Sequence, residues 1–340
     1  MNKKVRALAL FSGGLDSSLA IKVVLEQGIE VIALNFVSHF FGGYNEKAEN
    51  MAKQLGVKLE YIEFQKRHME VVKNPVFGHG KNMNPCIDCH SLMFKIAGEL
   101  LEKYDAQFII SGEVLGQRPM SQNAQALEKV KKLSEVGDLV VRPLSAKCLP
   151  ISKPEQDGLI DRERLLDIQG RGRGYQMELM EKYGLVDYPS PGGGCLLTDI
   201  DYSNKLKAYR DDGLLDDEHS ILFHLTKLAR VFRFGPKKYV FVGRDNDANH
   251  KMMEYKEQVN HMIRAFDVPG PIILLVGDFT EEEKSLARDF YSRYSKVKGK
   301  ESIYILFDEI KTEVPPIDIE RVEMLQREYQ DLGKKKKKKD

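Results

Sequence analysis

Apolar and polar stretches alternate along the chain in strand-length and helix-length pieces. Ala7-Leu8-Ala9-Leu10-Phe11 is an unbroken apolar run, as in a strand buried on both faces, and Leu15, Leu19, Ala20, Val23 and Val24 follow at helical spacing. Residues 30–36 form a second apolar run, a polar helix extends through Lys53, and a third strand falls near residues 59–64. This order predicts right-handed βαβ crossovers and a parallel sheet, with ligands at the carboxyl ends of its strands. Residues 65–84, with His68, Asn74, Pro75, Gly78, His79 and Gly80, show no clean period and are expected to be a mobile segment over that edge. An amphipathic helix over 91–104, a fourth strand over 107–110 and a charged helical stretch over 153–184 complete this part. Beyond residue 216, strands over 238–245, 272–276 and 302–307 and a helix over 281–294 predict a second, smaller unit. The expected fold class is α/β, a doubly wound parallel sheet followed by a smaller α+β domain. The expected boundaries are 1–186 for the first domain, 187–215 for a Gly-rich cysteine loop and linker, 216–315 for the second domain, and 316–340 for a helical, basic tail.

Composition adds limits. A chain of 340 residues that is 42% hydrophobic has material for two cores. Its formal charge of +1 provides no global basic field, so any RNA contact must come from local patches. Four cysteines in a chain of this size are no disulfide framework, and no signal peptide or membrane-spanning apolar run is evident. The expected compartment is the cytoplasm, where thiols stay available for metal or sulfur chemistry. The run from Lys334 to Lys339 reads as a solvated tail, with phosphate contacts as its alternative role.

The chemistry concentrates first in Ser12-Gly13-Gly14-Leu15-Asp16-Ser17-Ser18, between the first strand and the first helix. Two glycines allow a tight turn and close backbone approach, and the helix start aims unpaired N–H groups and its positive dipole end into the same space. Such a turn suits an anion. It has no Walker-loop lysine, so kinase-like or GTPase-like γ-phosphate transfer is not expected. The string resembles the pyrophosphate loop (PP-loop) of the N-type ATP pyrophosphatases, of adenine nucleotide α-hydrolase-like fold, which adenylate an oxygen and release pyrophosphate. That resemblance implies ATP bound by Ser12, Gly13, Gly14, Asp16, Ser17, Ser18, Leu34, Phe36, Gly112 and Gln117, with Asp16 acting through Mg²⁺.

Asn84-Pro85-Cys86-Ile87-Asp88-Cys89, a following helix with Phe94-Lys95, and Ser111-Gly112 resemble the matching part of the tRNA 2-thiouridylases. Gly112-Glu113-Val114-Leu115-Gly116-Gln117, with Ser121-Gln122 and Val141-Arg142-Pro143-Leu144, is similar to the tRNA 4-thiouridine synthetases. The likeness covers roughly residues 5 to 200 and implies an enzyme that adenylates a tRNA uridine carbonyl oxygen and replaces it with sulfur. The RNA-capturing domain that precedes the loop in the 4-thiouridine enzymes is expected to be absent. Val242-Gly243-Arg244-Asp245 with Asn249, together with residues 287–295, looks like the RNA-binding domain of the NFACT proteins. It implies phosphate contacts from Arg233, Lys237, Lys238, Arg244, Lys296 and Lys298, and Arg171 and Arg173 are further candidates in the first domain. For all of these, a solvated charged rim is the structural alternative.

Cys86 and Cys89, two residues apart at a helix start, can face one metal or sulfur species, but one pair is an incomplete site. Cys195, in the Gly-rich loop Pro191-Gly192-Gly193-Gly194-Cys195, is expected to be presented to the site, and Cys148 to be a small packed side chain. Cys-x-x-Cys plus one distant cysteine resembles the tRNA thiolases with a [4Fe–4S] cluster, implying Cys86, Cys89 and Cys195 as ligands and Asp16, Cys86 and Cys195 as catalytic residues. A persulfide carrier with a resolving cysteine, an adenylating amidation enzyme with structural zinc, and a non-catalytic RNA-binding module stay open. The expected partners are tRNA and a sulfur donor, either sulfide or a carrier protein, and no membrane; a homodimer is compatible with the sequence.

Overall fold

The computed structural model describes residues 4–44, 46–186, 194–295, 302–314 and 330–331. It divides the chain into two compact units, residues 1–198 and 199–340.

The first unit is built on five strands, β1 (Arg6–Leu10), β2 (Glu30–Val37), β3 (Lys58–Glu63), β4 (Phe108–Ser111) and β5 (Val140–Val141), in the order β3-β2-β1-β4-β5 with every pair parallel. Its helices are α1 (Leu15–Leu25), α2 (Glu46–Leu55), α3 (Gln65–Lys73), α4 (Cys86–Glu99), α5 (Ala124–Ser134), α6 (Lys153–Gln156) and α7 (Gly174–Lys182). Two buried clusters line the sheet. One joins Ala7 and Ala9 to Leu19, Val23, Phe108, Leu179 and Met180, and the other joins Leu8 and Leu34 to Phe94, Ile109 and Val130. Alternate residues of each strand enter opposite clusters, which is why the strands read as continuous apolar runs. The order reverses between β1 and β4, so the space beyond their carboxyl ends is the crevice where such sheets bind ligands.

Several expectations need correction here. Residues 65–73 are helical, burying His68, Met69 and Val72 on one face, and the turns after them are pinned rather than loose. Asp88 accepts from the Val76 N–H at 2.6 Å, and Gly80 N donates to the Asn84 carbonyl at 2.9 Å. The cysteine helix begins at Cys86 rather than residue 91 and ends at Glu99. The continuous helix over 153–184 is absent. Gly158, Gly170 and Gly184 adopt left-handed backbone conformations, leaving short helical pieces at 153–156, 162–164 and 174–182.

In the second unit, residues 200–211 are not linker. They form α8 (Ile200–Asp211), which begins where the Asp199 side chain accepts from Tyr202 N and buries Tyr202, Leu206 and Tyr209. α9 (Ser220–Leu228), α10 (Asn246–Met253) and α11 (Glu281–Tyr294) accompany seven strands. These are β6 (Ala229–Gly235), β7 (Lys238–Gly243), β8 (His261–Ala265), β9 (Ile273–Val276), β10 (Ile303–Phe307), β11 (Ile310–Val314) and β12 (Gln330–Asp331), ordered β11-β10-β8-β9-β7-β6-β12. All of its pairings are antiparallel, and Phe232, Val240, Ile263, Phe290 and Tyr291 form its core. The unit is therefore α+β. No helix among the described residues is long and apolar enough to cross a membrane.

Candidate nucleotide and sulfur site

The PP-loop lies between β1 and α1, at the strand-order reversal. Gly13 has φ +75°, and a Cβ there would meet the Ala48 backbone at 2.9 Å. From β4, Gly112 reaches so close that a Cβ would stand 2.5 Å from Ser17 N, so glycine is what lets the two strand ends meet around the loop. The Ser17 and Ser18 hydroxyls donate to the Gly14 carbonyl at 3.0 and 2.9 Å, and Gly14 N donates to Ser12 Oγ at 3.3 Å. The first N–H groups of α1 point out of the turn with no intrahelical partner.

Asp16 is the loop's charged group. Its Oδ2 accepts from Gln117 Nε2 at 2.7 Å and lies 3.5 Å from Arg173 Nη2, whereas its Oδ1 is buried without a partner. A buried acceptor left unpaired costs about 1–3 kcal/mol, and the vacancy suits a cation, so this carboxylate fits a Mg²⁺ role. Gln117 is itself buried, and its Oε1 accepts from Gln176 Nε2 at 3.0 Å. Because a carboxylate only accepts, Gln117 must turn its amide N–H toward Asp16 and its oxygen toward Gln176. Gln117 therefore steers Asp16.

Leu34 and Phe36, expected beside ATP, are core side chains. Leu34 is fully buried with its carbonyl taken by Phe11 N, and Phe36 packs edge-on against Phe64.

The cysteine corner is assembled from α4 and the segment before residue 199. Leu196 N donates to the Phe40 carbonyl at 3.0 Å and Asn82 Nδ2 to the Thr198 carbonyl at 2.7 Å, which draws Cys195 to the first turn of α4. Burial first, then the charges of Cys195, Cys86 and Asp88, push the Cys89 thiol well above its ordinary value. Cys195 is half-buried rather than openly presented, and burial is the chief cause that lifts its thiol to about 11. The three thiols thus lie within one another's electrostatic reach, although among the described residues no group of three His, Cys, Asp or Glu is arranged to hold a metal ion. The donor chemistry fits an iron–sulfur cluster, whose binding would release thiol protons. Asn84 Nδ2 donates to Cys86 Sγ at 3.1 Å. Cys148 lies apart and is only partly buried, its Sγ donating to the Asp167 carbonyl at 3.1 Å.

Two connections tie the corner to the loop. Arg118, next to Gln117, is close enough to Cys195 to favour its thiolate. Glu113, after β4, is buried between His90 of α4 (2.7 Å) and Arg142 Nε (2.9 Å). Burial alone raises the Glu113 pKa, but the Arg142 charge and the His90 hydrogen bond outweigh it and bring it down to about 2. Glu113, His90, Arg118 and Gln176 are not among the site residues expected from the sequence. For Glu113 the available signal was a carboxylate directly after the Ser111-Gly112 strand end.

Of the expected RNA contacts, Arg171 is exposed and Arg173 instead meets Asp16. Arg233 is bound to Asp212, a carboxylate that also accepts from Lys237 N and the Tyr239 hydroxyl, and Lys238 pairs with Glu283 at 2.8 Å. Arg233 and Lys238 are therefore structural ion pairs, whereas the Lys237 and Arg244 side chains are exposed. Lys296, Lys298, Gly192 and Gly193 lie outside the described residues.

The ThiI family model, described as thiamine biosynthesis protein, matches residues 3–147, and the NFACT protein RNA binding domain model matches residues 229–328. The chain is 32% identical over 117 residues to an uncharacterized protein of Methanocaldococcus jannaschii, covering 34% of this chain and 43% of that one. It is 29% identical over 171 residues to a probable tRNA sulfurtransferase of Thermococcus kodakarensis (48% and 39% of the two chains). It is also 36% identical over 126 residues to the tRNA-specific 2-thiouridylase MnmA of Sulfurimonas denitrificans (34% and 36%). The match spans about two fifths of each relative's length. The two matches fall one in each unit of the fold: residues 3–147 are similar to the ThiI model and residues 229–328 to the NFACT RNA binding domain model.

Proposed function

We propose that the protein is an ATP-dependent tRNA uridine sulfurtransferase. The observation that carries this reading is the pairing of the two chemistries at one sheet edge: Gln117 grips Asp16 of the PP-loop, and Glu113, on the same segment after β4, holds His90 of the cysteine helix. Relatives named tRNA sulfurtransferase and 2-thiouridylase, and the NFACT-type unit, support tRNA as the substrate.

In the first step a uridine carbonyl oxygen attacks the α-phosphorus of ATP. The bond to the bridging oxygen breaks, and its electron pair leaves with pyrophosphate. The α1 N–H groups and the Ser12–Ser18 backbone hold the phosphates, and Asp16 is kept in place by Gln117. Mg²⁺ on Asp16 would offset the charge of the departing pyrophosphate. Sulfur from the cysteine corner then displaces AMP from the activated carbon. A [4Fe–4S] cluster held by Cys86, Cys89 and Cys195 would supply sulfide through an open iron. The Glu113 bridge holds α4, and with it the cysteine pair, against the strand end beside the loop.

A second reading has no cluster: a sulfane-sulfur donor loads a persulfide on Cys86, its outer sulfur displaces AMP, and Cys195 closes a disulfide with Cys86 that supplies the two electrons; it draws on the donor that Asn84 gives Cys86. In the second unit, Lys237 and Arg244 are the proposed phosphate contacts, with Lys296 and Lys298. Of the domain limits 1–186, 187–215, 216–315 and 316–340, the first is proposed as expected, whereas the second unit is extended to take in α8 from the linker and β12 from the tail.

The deciding experiment incubates anaerobically purified protein with tRNA, ATP and either sulfide or a sulfane-sulfur donor, then measures pyrophosphate, thiolated nucleosides by mass spectrometry, and protein-bound iron. Thiouridine with stoichiometric pyrophosphate supports the reading, and iron separates cluster from persulfide. ATP binding with no thiolated nucleoside from any donor would defeat it.

A further inference from the structure

The PP-loop has no cation of its own, since residues 12–18 are Ser-Gly-Gly-Leu-Asp-Ser-Ser. Backbone N–H groups and hydroxyls can cradle a triphosphate, but releasing pyrophosphate builds negative charge that dipoles alone offset poorly. A positive side chain has to come from elsewhere in the fold. The chain delivers one by a specific route. Gln169 bridges in parallel to Leu115, just past β4, and Gly170 N donates to the Leu115 carbonyl at 2.7 Å. The next turn brings Arg173, at the start of α7, to Asp16, 157 residues away in sequence. Among the described residues, this guanidinium's polar contact is the 3.5 Å approach to Asp16 Oδ2, too long for a close ion pair and leaving most of its five donors unused.

A second observation points to the same space. Gln176, in the first turn of α7, is fully buried, and among the described residues its Oε1 has no partner. The unpartnered Asp16 Oδ1 lies at the other end of the Asp16–Gln117–Gln176 chain. Two buried acceptors without donors, beside an under-used guanidinium and an anion-binding turn, describe a polar site shaped for a ligand and its cation.

We propose that Arg173 is a catalytic residue for the nucleotide half-reaction rather than an RNA contact. In this structure it rests against Asp16. Asp16 would hold the cation that accompanies ATP, and Arg173 turns to the β- and γ-phosphates, where its fork stabilises pyrophosphate as the α–β phosphoanhydride bond breaks and the electron pair moves onto the leaving oxygen. This rests on the reading that ATP is adenylating an RNA oxygen, but its main readout, ATP affinity, does not depend on thiolation.

The test compares Arg173→Gln, Arg173→Lys and Arg171→Ala with the wild-type chain. Calorimetry gives ATP affinity with and without Mg²⁺, radiolabelled pyrophosphate gives exchange into ATP in the presence of tRNA, and filter binding gives tRNA affinity over a salt series. Arg173→Gln should weaken ATP binding about tenfold or more and cut pyrophosphate exchange by about 10²-fold, leaving the salt slope of tRNA binding unchanged. Arg173→Lys should recover part of both, and Arg171→Ala should leave ATP affinity within twofold. Wild-type ATP affinity and exchange in Arg173→Gln would overturn the proposal, as would a tRNA salt slope reduced by about one phosphate contact. If the Gln variant fails to fold, the Lys variant decides through ATP affinity. If the wild-type chain binds ATP but shows no exchange with any tRNA, the sulfurtransferase reading fails while ATP affinity still judges Arg173.

Discussion

The PP-loop and the cysteine corner share one sheet edge and are built in opposite ways. The loop is a single stretch of backbone whose hydroxyls and N–H groups bond to each other within a few residues, leaving one carboxylate oxygen as its open valence. The corner joins side chains from segments held together by contacts such as Asn82 to Thr198, 116 residues apart, and burial pushes the Cys89 and Cys195 thiols toward the protonated form. The backbone cradle of the loop forms with the local turn, and only its charged group, Asp16, depends on the distant Gln117 and Arg173. A site made of distant side chains exists only when two loops have docked, and it answers to anything that loosens them.

The sharpest way to break this comparison is to remove sulfur. Cys86→Ser, Cys89→Ser and Cys195→Ser should each reduce thiolation to background while ATP affinity stays within about twofold, and Cys148→Ser should do neither. Nucleoside mass spectrometry and calorimetry on the same preparations read both halves; a cysteine variant that also lost ATP binding would show the two regions to be one structural unit.

Next in size is Asp16→Asn. An amide keeps the helix start but cannot carry the carboxylate's charge, so pyrophosphate release should fall about 10²–10³-fold. Titratable thiols should be unchanged. Near-normal release would remove Asp16 from cation binding.

Gly112→Ala should then cost about 1–3 kcal/mol in denaturant unfolding, because its Cβ has nowhere to go but the backbone of Ser17. ATP affinity should fall with it.

Acidity should loosen the corner first. His68 lies fully buried among Phe40, Phe41 and Phe64, bonded to Ser38 Oγ at 2.8 Å, and Phe40 is the residue whose carbonyl anchors Leu196. Burial, then His39, lowers the His68 pKa from 6.5 to about 3, so the folded protein keeps this ring neutral. The unfolded chain takes up the proton below about 6.5, so the stabilisation is whole above that pH and is lost as pH falls toward 3. Between pH 7 and 5 this amounts to about 2 kcal/mol, and His68→Phe should flatten that slope. Glu113, held at about 2, adds its own loss only below about 4.5. An identical pH slope in His68→Phe would contradict this assignment.

The smallest effect is expected at Gly194→Ala, where a Cβ would meet nothing within 4 Å. Stability should stay within about 0.5 kcal/mol.

Legibility followed the same division. The parallel sheet and the PP-loop could be read because doubly buried strands are continuous apolar runs and because the turn is contiguous. Helix α3 was missed because one of its three buried residues is a histidine, which breaks the apolar period that marks a helix. In the second unit, β8 and β11 escaped notice because short strands carrying His, Arg, Lys and Glu lack a long apolar run.

Charge roles were the least legible. Arg233, Lys238 and Arg173 look alike in the sequence as basic residues near turns, and their carboxylate partners lie 21, 45 and 157 residues away. By itself the sequence determined the strand-to-helix anion turn, the Cys-x-x-Cys at a helix start and the two-part architecture, because each depends on residues adjacent or a helical turn apart. The tertiary structure decided which carboxylate each arginine meets, that Gln117 and Gln176 hold Asp16, and that Cys195 comes to the first turn of α4. Those are matters of which segments pack together, and chain closure over a hundred residues leaves no local periodicity to read.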